Sequence, residues 1–282
     1  MNDVADAIEL VNVQKQYKVN NHLTHALKDV NLTIPKGQFI GILGENGSGK
    51  TTLARLFNGL ILPTKGNVYV DGMDTFDKRF IKKIRSRVGM IFQNPENQII
   101  SSIVEEELAF GPQNLNLPIE EIDKRVDKAL NIMGLTALRF HATNLLSGGQ
   151  KQRLAIASIL TMKPQYLILD EPTSMLDQSG RYELINYLKK LNKQHNITIV
   201  LITHNIKDIL SADRLIVLKK GAVVLDSTPW KIFSSPENLE ISGLNPPDMV
   251  KLVNGLNKRG YKLKDEILTT EQMVEFICRQ LN

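Results

Sequence analysis

The chain has 282 residues, of which 42% are hydrophobic and 23% charged, a composition that excludes disordered and fibrous classes and a length that suits one large domain with an appendage or two modest domains. Its single cysteine, Cys278, rules out a disulfide framework and any cysteine-ligated zinc or iron–sulfur centre, which fits a reducing, cytosolic compartment. The formal net charge of +5 is too small to argue for nucleic acid on its own.

In chain order, Ile8–Val13 and Val30–Ile34 alternate apolar and polar residues, and Gly66–Gly72 is a short strand between glycines; the three predict an antiparallel sheet with one solvated face. Gln38–Leu43 is apolar on both faces and runs into a glycine-rich turn, with a helix starting near Lys50. Residues from about 95 to 160 carry little strand signal and several helical stretches. One of these is Ile119–Met133, with Pro118 placed to start it. Tyr166–Leu169 and Thr198–Ile202 are again apolar on both faces, as strands covered by helices on each side must be, and each ends in polar residues, where α/β sheets place ligands. The pattern predicts an α/β protein with a mostly parallel core sheet, an antiparallel β subdomain and a helical insertion between two strands of the parallel sheet. Beyond about residue 235 come Ser-Ser-Pro, Asn-Pro-Pro and two short amphipathic helices. Met249, Leu252, Val253 and Leu256 line one, which Gly260 terminates; Met273, Ile277 and Leu281 line the other, with Thr269 and Gln272 at capping-box spacing. No stretch reaches the ~18 apolar residues of a membrane span. Asp3, Asp6 and Glu9 stand where a signal peptide needs basic residues, so the chain is expected neither to be secreted nor to cross a bilayer by itself.

Gly44-Glu45-Asn46-Gly47-Ser48-Gly49-Lys50-Thr51 fits the P-loop pattern, in which glycines let backbone N–H groups approach phosphate oxygens and the following helix points its positive end at the anion. Lys50 is placed to neutralise the β- and γ-phosphates and Thr51 to ligate Mg²⁺. A chance match in a chain of this length is roughly one in a hundred, and the position between a strand and a helix lowers that further. Asp170 and Glu171 follow the strand Tyr166–Leu169. Alone they would more often be a solvated loop; beside a P-loop, Asp170 suits Mg²⁺ and Glu171 the role of general base toward a water. Ser147-Gly148-Gly149-Gln150, ahead of an apolar-patterned helix, is a second anion site at a helix N-terminus, although a Ser-Gly-Gly turn alone is usually just a cap. Two such sites about a hundred residues apart are redundant if both grip one nucleotide within a chain. On opposite edges, they let two chains sandwich it.

With these motifs in place, residues 8–235 resemble an ATP-binding cassette (ABC) ATPase. The resemblance implies that Tyr17 stacks on adenine and that Gly44–Thr52 bind ATP. It implies that Gln93, in Phe92-Gln-Asn-Pro95, senses Mg²⁺ together with Thr51 and Asp170, and that Ser147–Gln150 complete the partner chain's site. Ser174–Asp177 then lies between the two sites, and His204 contacts the γ-phosphate and orients the catalytic water; alone, Tyr17 reads as an ordinary strand tyrosine and His204 as a cap or surface residue. Gln178 stands where many relatives have proline, a departure expected to loosen that turn, and Arg139–Asn144 is less basic than in relatives. A finer likeness is to ATPase subunits of energy-coupling factor (ECF) transporters, which power uptake of vitamins and metal ions, and there to the first of two paralogous subunits. Likeness to the group is carried by Gln93-Asn-Pro-Glu-Asn-Gln98, by Val104–Gly111 and by the tail, and likeness to the first paralogue by Ser174-Met-Leu-Asp177 with an intact Glu171. It implies an ATPase domain over 1–235 with a helical subdomain at about 95–160, and a dimerisation extension over 236–282. It further implies a paralogous ATPase subunit or a second copy as partner, integral membrane coupling and substrate-binding subunits, no nucleic acid, and a peripheral place on the cytoplasmic face of the membrane. A conventional importer ATPase for amino acids or peptides is the alternative. Soluble ABC proteins acting on DNA or ribosomes fit less well, since the chain has one P-loop and no sustained heptads. A P-loop kinase or GTPase does not need the signature segment, and a module that only binds ATP would be expected to lose Glu171 or His204.

Overall fold

A computed structural model describes residues 6–19, 22–261, 263 and 266–281. The chain runs through β1 (Ala7–Val19), β2 (His22–Pro35), β3 (Phe39–Gly44), α1 (Lys50–Phe57), β4 (Lys65–Val70), β5 (Met73–Asp74), α2 (Ile81–Arg87) and β6 (Val88–Ile91). A helical segment follows, of α3 (Val104–Asn114), α4 (Ile119–Ile132) and α5 (Gly148–Leu160). Next come β7 (Tyr166–Asp170), α6 (Gln178–His195), β8 (Thr198–Ile202), α7 (Ile206–Ile209), β9 (Arg214–Lys219) and β10 (Ala222–Ser227). The chain ends in α8 (Pro229–Ser234), α9 (Pro236–Ser242), α10 (Asp248–Lys258) and α11 (Thr270–Leu281).

Two sheets form, ordered β2-β1-β4-β5 and β10-β9-β3-β8-β7-β6. The first is antiparallel throughout, as the alternating pattern predicts, with Ile8, Leu10, Val13, Leu27, Val30 and Leu32 turned inward. In the second, β9-β3-β8-β7-β6 pair in parallel and β10 closes the edge antiparallel to β9. Successive side chains explain why the central strands read as unbroken apolar runs. Ile40, Ile42, Ile168, Val200 and Ile202 face α1 and the antiparallel sheet, whereas Phe39, Leu43, Leu167, Leu169, Ile199 and Leu201 face the layer built by α3, α5 and α6.

The helical segment joins β6 to β7, which are neighbours in the sheet, so the insertion leaves and returns at one place. Charged side chains brace it from within. Arg139 donates to Glu105 (Nη2 to Oε1, 2.5 Å) and also pairs with Asp127. The buried Glu107 accepts the N–H groups of Ile100 and Ser101 at 2.8 and 2.9 Å, so its carboxylate caps the loop that follows β6.

The C-terminal helices differ in detail from the sequence pattern. On α10, Val250 and Val253 are buried, while Leu252 is 47% exposed. The helix carries two overlapping apolar diagonals, and the one through Val250 and Val253 meets the body. On α11 Met273 is buried and packs with Trp230, Val253 and Ile267, whereas Ile277 is 46% exposed and Phe276 takes the inward place; the Leu281 side chain lies outside the described residues. The capping box is present, with Gln272 N–H donating to Thr269 Oγ1 at 3.3 Å and Thr269 N–H to Gln272 Oε1 at 3.0 Å.

Candidate active site

β3, β8 and β7 are adjacent, and their C-terminal ends deliver Gly44–Thr51, Thr203-His204 and Asp170-Glu171 to one edge. The P-loop holds its shape through glycines. Gly49 sits at φ +106, in the left-handed region, and a Cβ there would fall 2.5 Å from the Ala26 carbonyl oxygen. A Cβ on Gly44 would lie 2.5 Å from the Leu218 carbonyl oxygen. The turn after β9 braces the loop, with Gly221 N–H donating to the Ser48 carbonyl at 3.0 Å. Gly49 is the N-cap of α1 and supplies no side-chain acceptor, so the first N–H groups of that helix are open to an anion.

Lys50 is buried and folds back on the loop, its Nζ donating to the carbonyls of Gly44 (2.7 Å) and Glu45 (3.0 Å). Burial lowers its pKa from the ordinary lysine value, while the nearby Glu171 and Asp170 carboxylates pull it back up. Asp170 is the converse: burial raises its carboxyl above the usual range, opposed by the Thr51 hydroxyl and the Lys50 charge. Asp170 Oδ1 is buried without a hydrogen-bond partner. A desolvated carboxylate with a free oxygen, next to a hydroxyl, is a donor set that fits a hard divalent cation.

Glu171 leaves the strand at φ +53, an uncommon conformation for a side chain of its size, with its N–H donating to the Ile202 carbonyl at 2.8 Å. That turn directs its carboxylate to His204, where Oε2 meets Nδ1 at 2.7 Å. Tyr17 reaches the same edge from β1, its hydroxyl 3.5 Å from Thr52 Oγ1 and its ring 36% exposed.

The remaining residues singled out in the sequence lie apart. Gln93 is exposed in the turn after β6. Ser147 and Gln150 form a capping box on α5: Gln150 N–H donates to Ser147 Oγ at 3.3 Å, and Ser147 N–H to Gln150 Oε1 at 2.8 Å. The anion site expected there is therefore capped by its own side chains, with Gly148 in open space. Among the described residues no hydrogen bond or ion pair ties 147–150 to 44–52, 170–171 or 204. The turn at Gln178 is not loose, because Asp177 Oδ1 accepts the Gly180 N–H at 2.8 Å and α6 starts at Gln178 itself.

Two groups escape sequence reasoning. Gln98 holds the turn carrying Gln93 onto the end of β6, accepting from Phe92 N–H (2.8 Å) and donating to the Met90 carbonyl (3.2 Å). Glu96 in that turn pairs with Lys151 of α5 at 2.5 Å, joining it to the signature segment. Only the glutamine-rich spelling of 93–98 hints at the first, and nothing in the linear pattern hints at the second.

A P-loop between β3 and α1, paired acids after β7, a histidine after β8 and a helical insertion define a P-loop ATPase of the cassette type. The ABC transporter family profile matches residues 27–174. The chain is 54% identical over 253 residues to the energy-coupling factor transporter ATP-binding protein EcfA1 of Caldanaerobacter subterraneus subsp. tengcongensis, covering 90% of this chain and 91% of that one. It is 48% identical to EcfA1 of Clostridium novyi, covering 96% and 98%. The structure of cbiO1 from Clostridium perfringens, part of the ABC transporter complex cbiONQ, superposes with a TM-score of 0.75 at 38% identity over 88% of this chain and 98% of that one. MJ0796, a dimeric cassette also solved with ADP and Pi, superposes at 0.71 with 36% identity, over 78% of this chain and 98% of that one. The chain belongs to the ABC transporter family.

Proposed function

We propose that this chain is the ATP-hydrolysing subunit that drives an energy-coupling factor importer for vitamins or metal ions, working with a second cassette, a paralogue or another copy, on the cytoplasmic face of a membrane. The observation that carries the hydrolytic half is the Glu171–His204 contact at 2.7 Å beside Lys50. The transport half is supported by likeness over nine-tenths of both chains to proteins named energy-coupling factor transporter ATP-binding proteins. In this reading Tyr17 stacks on the adenine, and the loop Gly44–Thr52 with the uncapped N–H groups at the start of α1 receives the phosphates. Lys50 exchanges its two carbonyl partners for β- and γ-phosphate oxygens. Thr51, Gln93 and Asp170 would hold the Mg²⁺ of Mg-ATP, which when bound would offset phosphate charge. Glu171 accepts a proton from the attacking water as the water oxygen bonds to the γ-phosphorus and the bridging P–O bond breaks, leaving ADP and phosphate; His204 aligns that water and the γ-phosphate. Ser147 and the amides of Gly148 and Gly149 reach the γ-phosphate from the neighbouring cassette.

The segment 236–282, beyond the ATPase domain of 1–235, is assigned to dimerisation, supported by the apolar side chains it leaves outward: Leu252, Val274 and Ile277. Truncation after about residue 240 is expected to weaken the dimer measured by light scattering; an unchanged dimer overturns that part. The transport reading is tested by purification in mild detergent. Recovery of a second cassette with two integral membrane proteins supports it, and recovery with an extracytoplasmic binding protein of a conventional importer contradicts it.

A further inference from the structure

Behind the Glu171–His204 contact lies a buried polar cluster that the reaction as described does not use. Asp208, on the short helix α7, is 2% exposed. Its Oδ2 accepts the Thr173 hydroxyl at 2.6 Å and the Thr203 hydroxyl at 3.3 Å. Its Oδ1 faces Arg181 Nε of α6 at 4.0 Å, an ion-pair distance. Each of these three groups belongs to a segment that bears on the site. Thr173 is two residues beyond Glu171, and the next residue, Ser174, donates its hydroxyl to the Glu171 carbonyl at 2.9 Å. Thr203 immediately precedes His204, and its Oγ1 also accepts the Asn205 N–H at 3.0 Å. Arg181 stands in the first turn of the helix that Asp177 caps, and its Nη2 donates to the Thr173 carbonyl at 3.4 Å.

The sheet holds the two segments by backbone alone: Glu171 N–H donates to the Ile202 carbonyl of β8 at 2.8 Å and Thr203 N–H to the Ile42 carbonyl of β3 at 3.2 Å, which leaves both side chains unheld. Glu171 has already left β7 in the left-handed region, and His204 lies two residues past the end of β8 with a largely exposed ring. Beyond those backbone bonds, Asp208 supplies a side-chain tie between the two segments by receiving a hydroxyl from each. Burying a carboxylate is costly unless it is well partnered, so a buried acid that spends one oxygen on these two particular hydroxyls is a specific device and not packing.

We propose that Asp208 is a positioning residue for ATP hydrolysis: through Thr173 and Thr203 it holds Glu171 and His204 in register, and through Arg181 it joins that register to the turn 174–177. The inference rests on the roles given above to Glu171 and His204. A small misplacement of a base lowers turnover far more than it lowers substrate binding. The test is steady-state ATPase kinetics on the full chain with the subunits that co-purify with it. Asp208→Asn and Thr173→Val are each expected to lower kcat at least tenfold while KM for ATP stays within twofold, and Thr173→Ser, which keeps the hydroxyl, to retain near wild-type kcat. In a Glu171→Gln background, Asp208→Asn is expected to cause no further loss. Should Asp208→Asn fail to fold, the Thr173→Val and Thr173→Ser pair carries the same comparison. Full kcat in Asp208→Asn and Thr173→Val alongside an inactive Glu171→Gln overturns the positioning role alone, as does a loss in which KM rises as much as kcat falls and which multiplies with Glu171→Gln. Full turnover in Glu171→Gln itself overturns the base assignment, and this inference with it.

Discussion

The P-loop and the signature segment are both helix N-termini entered through glycine-bearing turns, yet they are built in opposite ways. At α1 the cap is Gly49, which offers no side chain, and the loop ahead of it is braced by β2 and the β9–β10 turn. Its donors point to a place already furnished with Lys50, Asp170, Glu171 and His204. At α5 the cap is Ser147, whose oxygen accepts from its own helix, and the turn stands exposed; among the described residues no hydrogen bond or ion pair joins 147–150 to the P-loop, Asp170, Glu171 or His204. The first presents uncapped helix N–H groups beside charged side chains, an arrangement suited to an anion. The second has its third N–H capped by Ser147 and open space around Gly148, which suits the proposed role toward another chain's ligand. On the proposed reading, one polypeptide would carry two halves of two different sites.

Substitutions can break or sharpen this contrast. The largest effect is expected from Glu171→Gln: turnover falls by about 10²–10⁴ while ATP still binds, because the phosphate-holding groups are untouched; full hydrolysis in the purified complex contradicts the base role. Next, Ser147→Arg is expected to lower turnover by about 10²–10³ and leave nucleotide binding to the isolated chain unchanged, since among the described residues no hydrogen bond or ion pair ties 147–150 to its own P-loop. Loss of binding, followed by fluorescent nucleotide titration, would put both halves in one site. If Tyr17 stacks on the adenine as proposed, a contact worth about 1–3 kcal/mol, Tyr17→Ala is expected to raise KM for ATP roughly tenfold with little change in kcat.

The smallest effect concerns stability and carries a sign. Burial holds the Asp170 carboxyl above its ordinary range, so the ionised form is penalised in the folded chain. Below the unfolded-state pKa the group is protonated in both states and the penalty vanishes; above the folded-state pKa it is present in full. Asp170→Asn is therefore expected to raise the Tm of nucleotide-free protein by a few degrees near about pH 7.5, with the gain shrinking toward about pH 4. A gain of equal size at both pH values excludes the burial penalty as its cause.

Much of this arrangement was legible beforehand where one residue pattern answers to one physical demand. β3, β7 and β8 are buried on both faces and so read as apolar runs, and Gly44 and Gly49 of the P-loop stand where a Cβ would strike backbone oxygens. The strand β6 has four residues, Val88–Ile91, directly after a basic helix, too short for a period to register. The long helix α6 is mostly polar, and its inward residues Leu184, Leu188 and Leu191 are diluted by lysines and asparagines. On α10 the apolar residues fit two diagonals equally well, and only packing selects the one through Val250. The Asp208 cluster draws residues 173, 181, 203 and 208 from four segments, a convergence that no linear spacing encodes.

The shared site is tested most directly by the structure of the Glu171→Gln chain, with its partner cassette, trapped with Mg-ATP. The expected result is a nucleotide held by residues 44–52 of one polypeptide and closed by a signature turn from the other, with Ser147 of this chain lying against its neighbour's γ-phosphate. A nucleotide enclosed by one polypeptide, with 147–149 remote from any second ligand, contradicts it.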